Sequence, residues 1–558
     1  MPVISFTKWD LERLVGEKLS EDELKRLLSN LKGEIEKIED ECIEMEITHD
    51  RPDMFSVEGI ARTLKGILEI EIGPPKVDVK FGTYVMYVDY VPWRRFVVTS
   101  IVRDVVLDDE AIRQLMQLQE KLHQTYGRDR RVVAIGLYDA DLIKFPIRYT
   151  SRNVDSVRYR PLGYDRYMSG REVLKETEKG QKYGYIALGE GNKVPIILDS
   201  EDNCLVIIPI LNSDDYKVTE NTKNIMIDIT GTDLRRVLDV YKVVIYNVLE
   251  RSRSKIIEIP KIIFSEEVPN YSKDVESSFE FQTYSISSYE VYDISGVDLK
   301  DEDIVKLLLK SRYGVDISNG IINVKVPPYR INVLHKVDII EDVLIMYGYD
   351  NIVRELPTQP THGRVSIITR IVDCIRNILR GMMFYEVMTY VMTSRRLLEL
   401  CEQEGIIEVL NPKSELYNCV RTSIWPQLLD FIISNEARAR SGFKIFDIGD
   451  VAWHSNGKVF QDIHLGIAIT GREVTLTDML TTLRTLFKLL SIDPKYVKSN
   501  IRGLIPERTA LIYDKYSEVE IGYVGEVHPK VLTSLEYYNP VVIAEISITK
   551  IQEVLSRR

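Results

Sequence analysis

PPYRINVLHKVDIIEDVLIMYGY, residues Pro327 to Tyr349, organises the reading of the whole chain. Pro327 and Pro328 hold the entry extended, because each fixes its own φ and turns the preceding residue away from helix. A short strand is expected over Tyr329–Leu334. A helix is expected from Lys336 to Tyr347, with Gly348 as its C-terminal stop. On that helix Asp338, Glu341 and Asp342 stand at i, i+3 and i+4. This spacing stacks three carboxylates on one face, roughly 5–6 Å apart at Cβ. No Lys or Arg sits among them. A hard divalent cation such as Mg²⁺ would relieve their repulsion, with Asn332 as a fourth oxygen ligand. Acidic residues early in a helix also complement its dipole, or pair with basic groups from elsewhere in the chain or from a partner chain. Spacing alone leaves both readings open.

Working outward, the 558-residue chain is 44% hydrophobic and 28% charged, the composition of a globular protein of roughly three to five domains. No run of roughly 18 apolar residues exists, so no membrane span is expected. The N-terminus lacks the basic-then-apolar layout of a signal peptide. Cys42, Cys204, Cys374, Cys401 and Cys419 are scattered without a CxxC pair, which argues against a zinc site or disulfide framework and fits a reducing cytoplasm. The net charge of −12 sets this chain apart from proteins that bind nucleic acid through a basic excess of their own. The phosphate-loop pattern, a dinucleotide fingerprint, GxSxG and HExxH are all missing from the sequence.

Residues 1–80 read as an α/β domain, with a helix capped by Ser20 and ended by Gly33, a strand over 34–48, and a second helix capped by Ser56. The intervening loop, His49-Asp50-Arg51-Pro52-Asp53, reads as a turn with mutual ion pairs or as a site. Residues 84–265 read as a larger α/β region. Arg128, Arg130 and Arg131 follow a helix there, either as dipole partners or as a phosphate patch. In the same region a hydrophobic strand ends at Pro209, and a polar loop with Asn212 and Ser213 follows. The strand IMIDIT then puts Asp228 and Thr230 on one face, because strand side chains alternate. A carboxylate and hydroxyls facing that loop would hold a water, or form cross-strand hydrogen bonds on a solvated face. Residues 270–355 read as a small domain with a turn at Asn319-Gly320. Residues 357–558 form a last domain opened by a long amphipathic helix that stops at Gly381.

Four stretches together resemble the β subunit of phenylalanine–tRNA ligase, in its archaeal and eukaryotic form. They are HDRPDMFSVEGIAR (49–62), PILNSDDYKVTENTK with IDITGTD (209–233), YRINVLHKVDIIEDVLIMYGYDNI (329–352) and the 411–532 set NPKSELYNCVRTSIWPQLL, KIFDIGDV and IGYVGEVHPKVL. The resemblance spans essentially the whole length. It implies a multidomain α+β chain in a cytoplasmic α2β2 enzyme that attaches phenylalanine to tRNA(Phe) with ATP, the catalytic site lying in the α subunit. The last domain would be a class II synthetase-like antiparallel core without catalytic motifs, serving to pack against the α subunit. Arg421 sits where such a core places a motif arginine, but no later GxGxxR-like segment completes an ATP site.

The resemblance further implies that residues 84–265 are an editing domain that hydrolyses tyrosine mistakenly attached to the tRNA. A pocket shaped for phenylalanine rejects an added hydroxyl weakly, so a second, hydrolytic site is useful. Asn212, Ser213, Asp228 and Thr230 are the candidates for that site. The alternative is a scaffold and RNA-binding subunit without editing. The family's metal-binding segment maps onto Asn332, Asp338, Glu341 and Asp342, where Asn332 replaces a carboxylate and removes one negative charge from a Mg²⁺ site.

Overall fold

The computed structural model describes residues 2–39, 41–318, 320–356, 362–438 and 442–557. The expected turn residue Asn319 and the boundary residue Pro357 lie outside them. The chain divides into two compact units, Met1–Leu356 and Pro357–Arg558, and both mix helices with sheets.

A nine-stranded sheet dominates the first unit. Its strand order is Leu211–Asn212, Cys204–Ile207, Lys193–Leu198, Ile147–Asn153, Asp78–Val88, Ile256–Phe264, Phe96–Val102, Ile225–Gly231 and Val133–Asp139. Ile225–Gly231 pairs antiparallel on both sides, so all seven of its residues are buried. The helix Leu234–Glu250 packs its valines and tyrosines across this part of the sheet. The strand Asp78–Val88 runs through the boundary expected at 80–84, because its hydrogen bonds belong to the large sheet.

The N-terminal region departs from the sequence reading in three places. The single strand expected over 34–48 is a hairpin of Gly33–Glu39 and Cys42–Ile47. Gly33 opens the first of these strands, and the preceding helix, Glu21–Ser29, ends at Asn30. Ser56 does occupy the cap position of helix Val57–Ile67, but its hydroxyl donates to Asn247 Oδ1 at 3.2 Å and caps nothing.

The helix Lys336–Tyr347 forms as expected and stops at Gly348, whose φ of +90° suits a residue without Cβ. The strand expected over Tyr329–Leu334 does not form. The backbone turns twice there, with Arg330 N–H donating to Pro327 O at 3.0 Å and Val333 N–H to Arg330 O at 3.3 Å. The turns carry the buried Arg330 side chain back toward the helix, which an extended segment would not do.

In the second unit a seven-stranded sheet has the order Tyr385–Glu386, Phe443–Ser455, Lys458–Thr470, Val541–Ser547, Glu520–Val527, Leu504–Asp514 and Pro494–Lys498. Only the Tyr385–Glu386 pairing is parallel among these neighbours. Helices Ile367–Gly381, Leu476–Leu489 and Ile548–Ser556 cover one core of this sheet. Among the described residues no helix is long and apolar enough to cross a membrane.

Candidate functional site

The strand Ile225–Gly231 and its neighbour Val133–Asp139 build the floor of a cavity of about 370 Å³ in the first unit. This volume lies in the range of small-molecule sites. Asp228 stands opposite Gly136 and Thr230 opposite Ala134, so two polar side chains alternate with two of the smallest residues. Gly136 has no substitute here: a Cβ at that position would lie 1.9 Å from Asp228 Oδ2 and 2.4 Å from Tyr138 Oη. The walls are apolar, with Leu115, Met116, Val206 and Ile208 among them, and Lys179 and Lys217 also line the cavity. Apolar walls around a few convergent polar groups are the usual makeup of a ligand site.

Asp228 is buried, and its Oδ2 accepts from the Tyr138 hydroxyl at 2.7 Å. Burial raises its pKa to about 6, against the opposing pull of the Tyr138 hydrogen bond and the Arg94 charge. Thr230 is buried too, and its Oγ1 accepts from Arg94 Nε at 3.0 Å. Asn212 lines the cavity, receiving Tyr138 Oη on its Oδ1 at 3.3 Å and donating from Nδ2 to Leu137 O at 3.1 Å. The structure therefore brings Asn212, Asp228 and Thr230 together. Ser213 is not among the cavity-lining residues: its hydroxyl accepts from Asp215 N–H at 3.3 Å and caps the short helix Asp214–Tyr216.

Sequence reasoning missed Arg94, Tyr138, Gly136 and the role of Arg130. Arg130 donates to the carbonyls of Pro209 and Ile210 at 2.9 and 3.1 Å and to Glu120 at 2.6 Å, fastening one wall of the cavity. It is buried by these contacts and is not part of an exposed phosphate patch.

The second candidate cluster has a different outcome. Asp342 is buried against Arg330, with Nη2 to Oδ2 at 2.5 Å, and also accepts from the Tyr313 hydroxyl. Asn332 Oδ1 accepts from Nε of the same arginine at 3.1 Å. Asp338 Oδ2 accepts from the backbone N–H groups of Leu334 and His335, both at 2.8 Å, and caps its own helix. Glu341 pairs with Lys32 at 2.6 Å, 309 positions earlier in the chain. A guanidinium thus occupies the space between Asn332 and Asp342, while Asp338 and Glu341 turn to other partners. This arrangement does not fit Mg²⁺. Among the described residues no group of three or more His, Cys, Asp or Glu could hold a metal ion. The nearby loop matches the ion-paired turn of the sequence reading in part: Arg51 grips Asp53 through two 2.9 Å bonds, with Arg62 3.8 Å away, but Asp50 pairs outside the loop, with Lys32 at 2.8 Å.

The chain is a multidomain α+β protein, and comparison with known proteins puts it in the aminoacyl-tRNA synthetase class. A family model for the tRNA synthetase B5 domain matches residues 284–349, and one for the phenylalanyl tRNA synthetase beta chain CLM domain matches residues 352–548. The chain is 38% identical to the phenylalanine–tRNA ligase beta subunit of Pyrobaculum aerophilum, over 98% of this chain and all of that one. It is also 38% identical to the same subunit of Thermofilum pendens, over 98% of each. The crystal structure of an N-terminal fragment of the Pyrococcus horikoshii phenylalanyl-tRNA synthetase beta-subunit superposes with a TM-score of 0.57 and 35% identity, over 62% of this chain and all of that fragment. The chain belongs to the phenylalanine–tRNA ligase beta subunit family, and it is a subunit of an aminoacyl-tRNA ligase.

Proposed function

We propose that this chain supports the ATP-dependent attachment of phenylalanine to tRNA(Phe) in a cytoplasmic α2β2 assembly, and that its cavity hydrolyses tyrosine wrongly attached to that tRNA. The observation that carries the hydrolytic part is the cavity floor. It presents an acceptor, Asp228, and a hydroxyl, Thr230, two residues apart on one strand face, inside walls apolar enough for an aromatic ring. Asp228 accepts the proton of the substrate's phenol, which a phenylalanyl ester lacks. Asn212 and Thr230 hold the aminoacyl group and the attacking water. In the reaction the water oxygen bonds to the ester carbonyl carbon and the bond from that carbon to the ribose oxygen breaks. One water proton passes to the ribose oxygen and the other to solvent, leaving free tyrosine and intact tRNA. Lys179 and Lys217 also line the cavity, paired with Glu120 at 3.5 Å and Asp214 at 3.2 Å.

The second unit supports the role of a non-catalytic partner to the α subunit. Arg421 is buried and fully engaged, with Asp447 at 3.1 Å, Thr389 Oγ1 at 2.7 Å and Asp450 O at 2.8 Å, so it is not free to meet a nucleotide. Met388 and Leu410 are 94% and 99% exposed, and Tyr385, Tyr390, Leu416 and Tyr417 are exposed as well. Tyr390 and Tyr417 are in ring contact at 5.6 Å. Apolar surface of this kind marks a protein–protein contact, here with the α subunit. ATP, and any Mg²⁺ that accompanies it, then belong to the partner's chemistry.

The test of the hydrolytic reading is deacylation of Tyr-tRNA(Phe) by the assembled enzyme. An Asp228→Ala, Thr230→Ala double variant should lose on the order of 100-fold in rate, the typical size of losing one preorganised polar contact or more. An unchanged rate removes the reading and leaves a scaffold subunit.

A further inference from the structure

Arg94 is an anomaly on physical grounds. Its side chain is buried, and among the described residues it forms no ion pair. Its guanidinium donates to Thr230 Oγ1 at 3.0 Å, to Thr230 O at 2.9 Å and to Arg130 O at 3.1 Å. A charge taken out of water without a carboxylate partner is costly. Burial lowers its pKa to about 10, which leaves it protonated at neutral pH. Thr230 lines the cavity, and Arg94 reaches the cavity through its bonds to Thr230.

The consequence for Thr230 follows from donor and acceptor chemistry. An arginine Nε–H can only donate, so the Thr230 hydroxyl is bound to accept there. Its own proton then needs another direction, and no acceptor among the described residues takes it. Thr230 lines the cavity, so the remaining direction is into it.

We propose that Arg94 is a positioning residue of the cavity, which fixes Thr230 as a hydrogen-bond donor to the carbonyl oxygen of a bound aminoacyl ester. The guanidinium also polarises the hydroxyl, making it a better donor as negative charge gathers on that oxygen during attack by water. Asp228 supplies the acceptor and Thr230 the donor, and Arg94 keeps the two from exchanging roles. The proposal rests on the deacylation reading for the identity of the occupant.

The experiment is a double-mutant cycle on Tyr-tRNA(Phe) deacylation by the assembled enzyme, using Arg94→Met, Thr230→Val and the pair. Thr230→Val should lower kcat about 100-fold. Arg94→Met should lower kcat by a similar factor with KM little changed, and the pair should be no worse than Thr230→Val alone, because Arg94 acts only through that hydroxyl. Arg94→Lys, which keeps a charged donor, should recover part of the loss. Independent, multiplying losses overturn the proposal, as does an Arg94→Met variant with the wild-type rate. Should Arg94→Met melt below the assay temperature, Arg94→Gln replaces it in the same cycle and is judged by the same criterion. A wild-type enzyme inert toward the ester overturns the deacylation reading and this proposal together. An active wild type with multiplying losses overturns Arg94 alone.

Discussion

The cavity strand and the carboxylate helix pose the same question and answer it in opposite ways. Each places polar side chains on one face at the spacing its geometry dictates, Asp228 and Thr230 at i and i+2, Asp338, Glu341 and Asp342 at i, i+3 and i+4. On the helix every one of these groups has a partner. Arg330 and Tyr313 take Asp342, Lys32 takes Glu341, and two backbone N–H groups take Asp338. On the strand the groups keep bonding capacity: among the described residues only Tyr138 donates to Asp228, and no acceptor takes the Thr230 hydroxyl proton. Shared spacing therefore shows which groups share a face, and the groups packed behind that face decide whether it binds anything. A site is a polar cluster whose partners stop short of completing it.

The sharpest way to break this contrast is to open the closed cluster. Arg330→Met leaves Asp342 buried with only the Tyr313 hydroxyl for company. Removing one partner of a buried pair costs about 3–5 kcal/mol, which chemical denaturation of the full chain would register. Adding Asp342→Leu should restore most of the loss, because the stranded charge goes with it. A loss below about 1 kcal/mol for Arg330→Met would mean the pair is not what closes this face.

A smaller effect separates the open cluster. Asp228, held up to about 6, changes charge in an accessible range, whereas an exposed aspartate does so near 3.8. If the ionised form takes the phenol proton, kcat/KM for Tyr-tRNA(Phe) should fall about tenfold per pH unit below about 6 and level off above it. The sign for stability is the reverse. The folded state holds this proton more tightly than the unfolded chain, so the contribution of Asp228 is best below 3.8 and is lost as pH rises through about 6. Asp228→Asn should remove both slopes together. A rate profile flat across that range would assign the carboxylate no part in the step.

What the sequence disclosed divides along the same line. The helix Lys336–Tyr347 was legible because its signals are local, an apolar stripe ended by Gly348. The shared face of Asp228 and Thr230 was legible for the same reason, through the alternation of one strand. Arg94 and Tyr138 were not, lying 136 and 90 positions from the groups they serve, in segments whose own pattern carries no mark of the cavity. Lys32, far from Glu341 in the chain, was equally hidden, and so three carboxylates without a nearby cation pointed to a metal. Ser213 stands outside the cavity lining for a local reason that adjacency conceals: its hydroxyl accepts from the turn that follows it. The expected strand over Tyr329–Leu334 gave way because Arg330 has to reach Asp342, a demand set by the helix beyond it.

The smallest expected effect tests the helix as a metal site. A cation that binds only the folded state stabilises it by RT ln(1 + [L]/Kd), about 2.7 kcal/mol at a hundredfold excess over Kd. With Arg330 lodged between Asn332 and Asp342, millimolar Mg²⁺ or EDTA should leave the melting temperature of this unit where it was, within about 1 °C. Restoring charge through Asn332→Asp should not change that, because the new carboxylate would meet the same guanidinium. Combining Asn332→Asp with Arg330→Met removes the resident cation and leaves four carboxylates, two of them already committed elsewhere. Comparing the double variant with the wild type in the same assembly isolates this site from any Mg²⁺ that accompanies ATP. A Mg²⁺-dependent rise in melting temperature confined to the double variant would show that the arginine is what closes the helix face. The same rise in the wild type would show that the face was never closed, and the contrast with the cavity strand would fail.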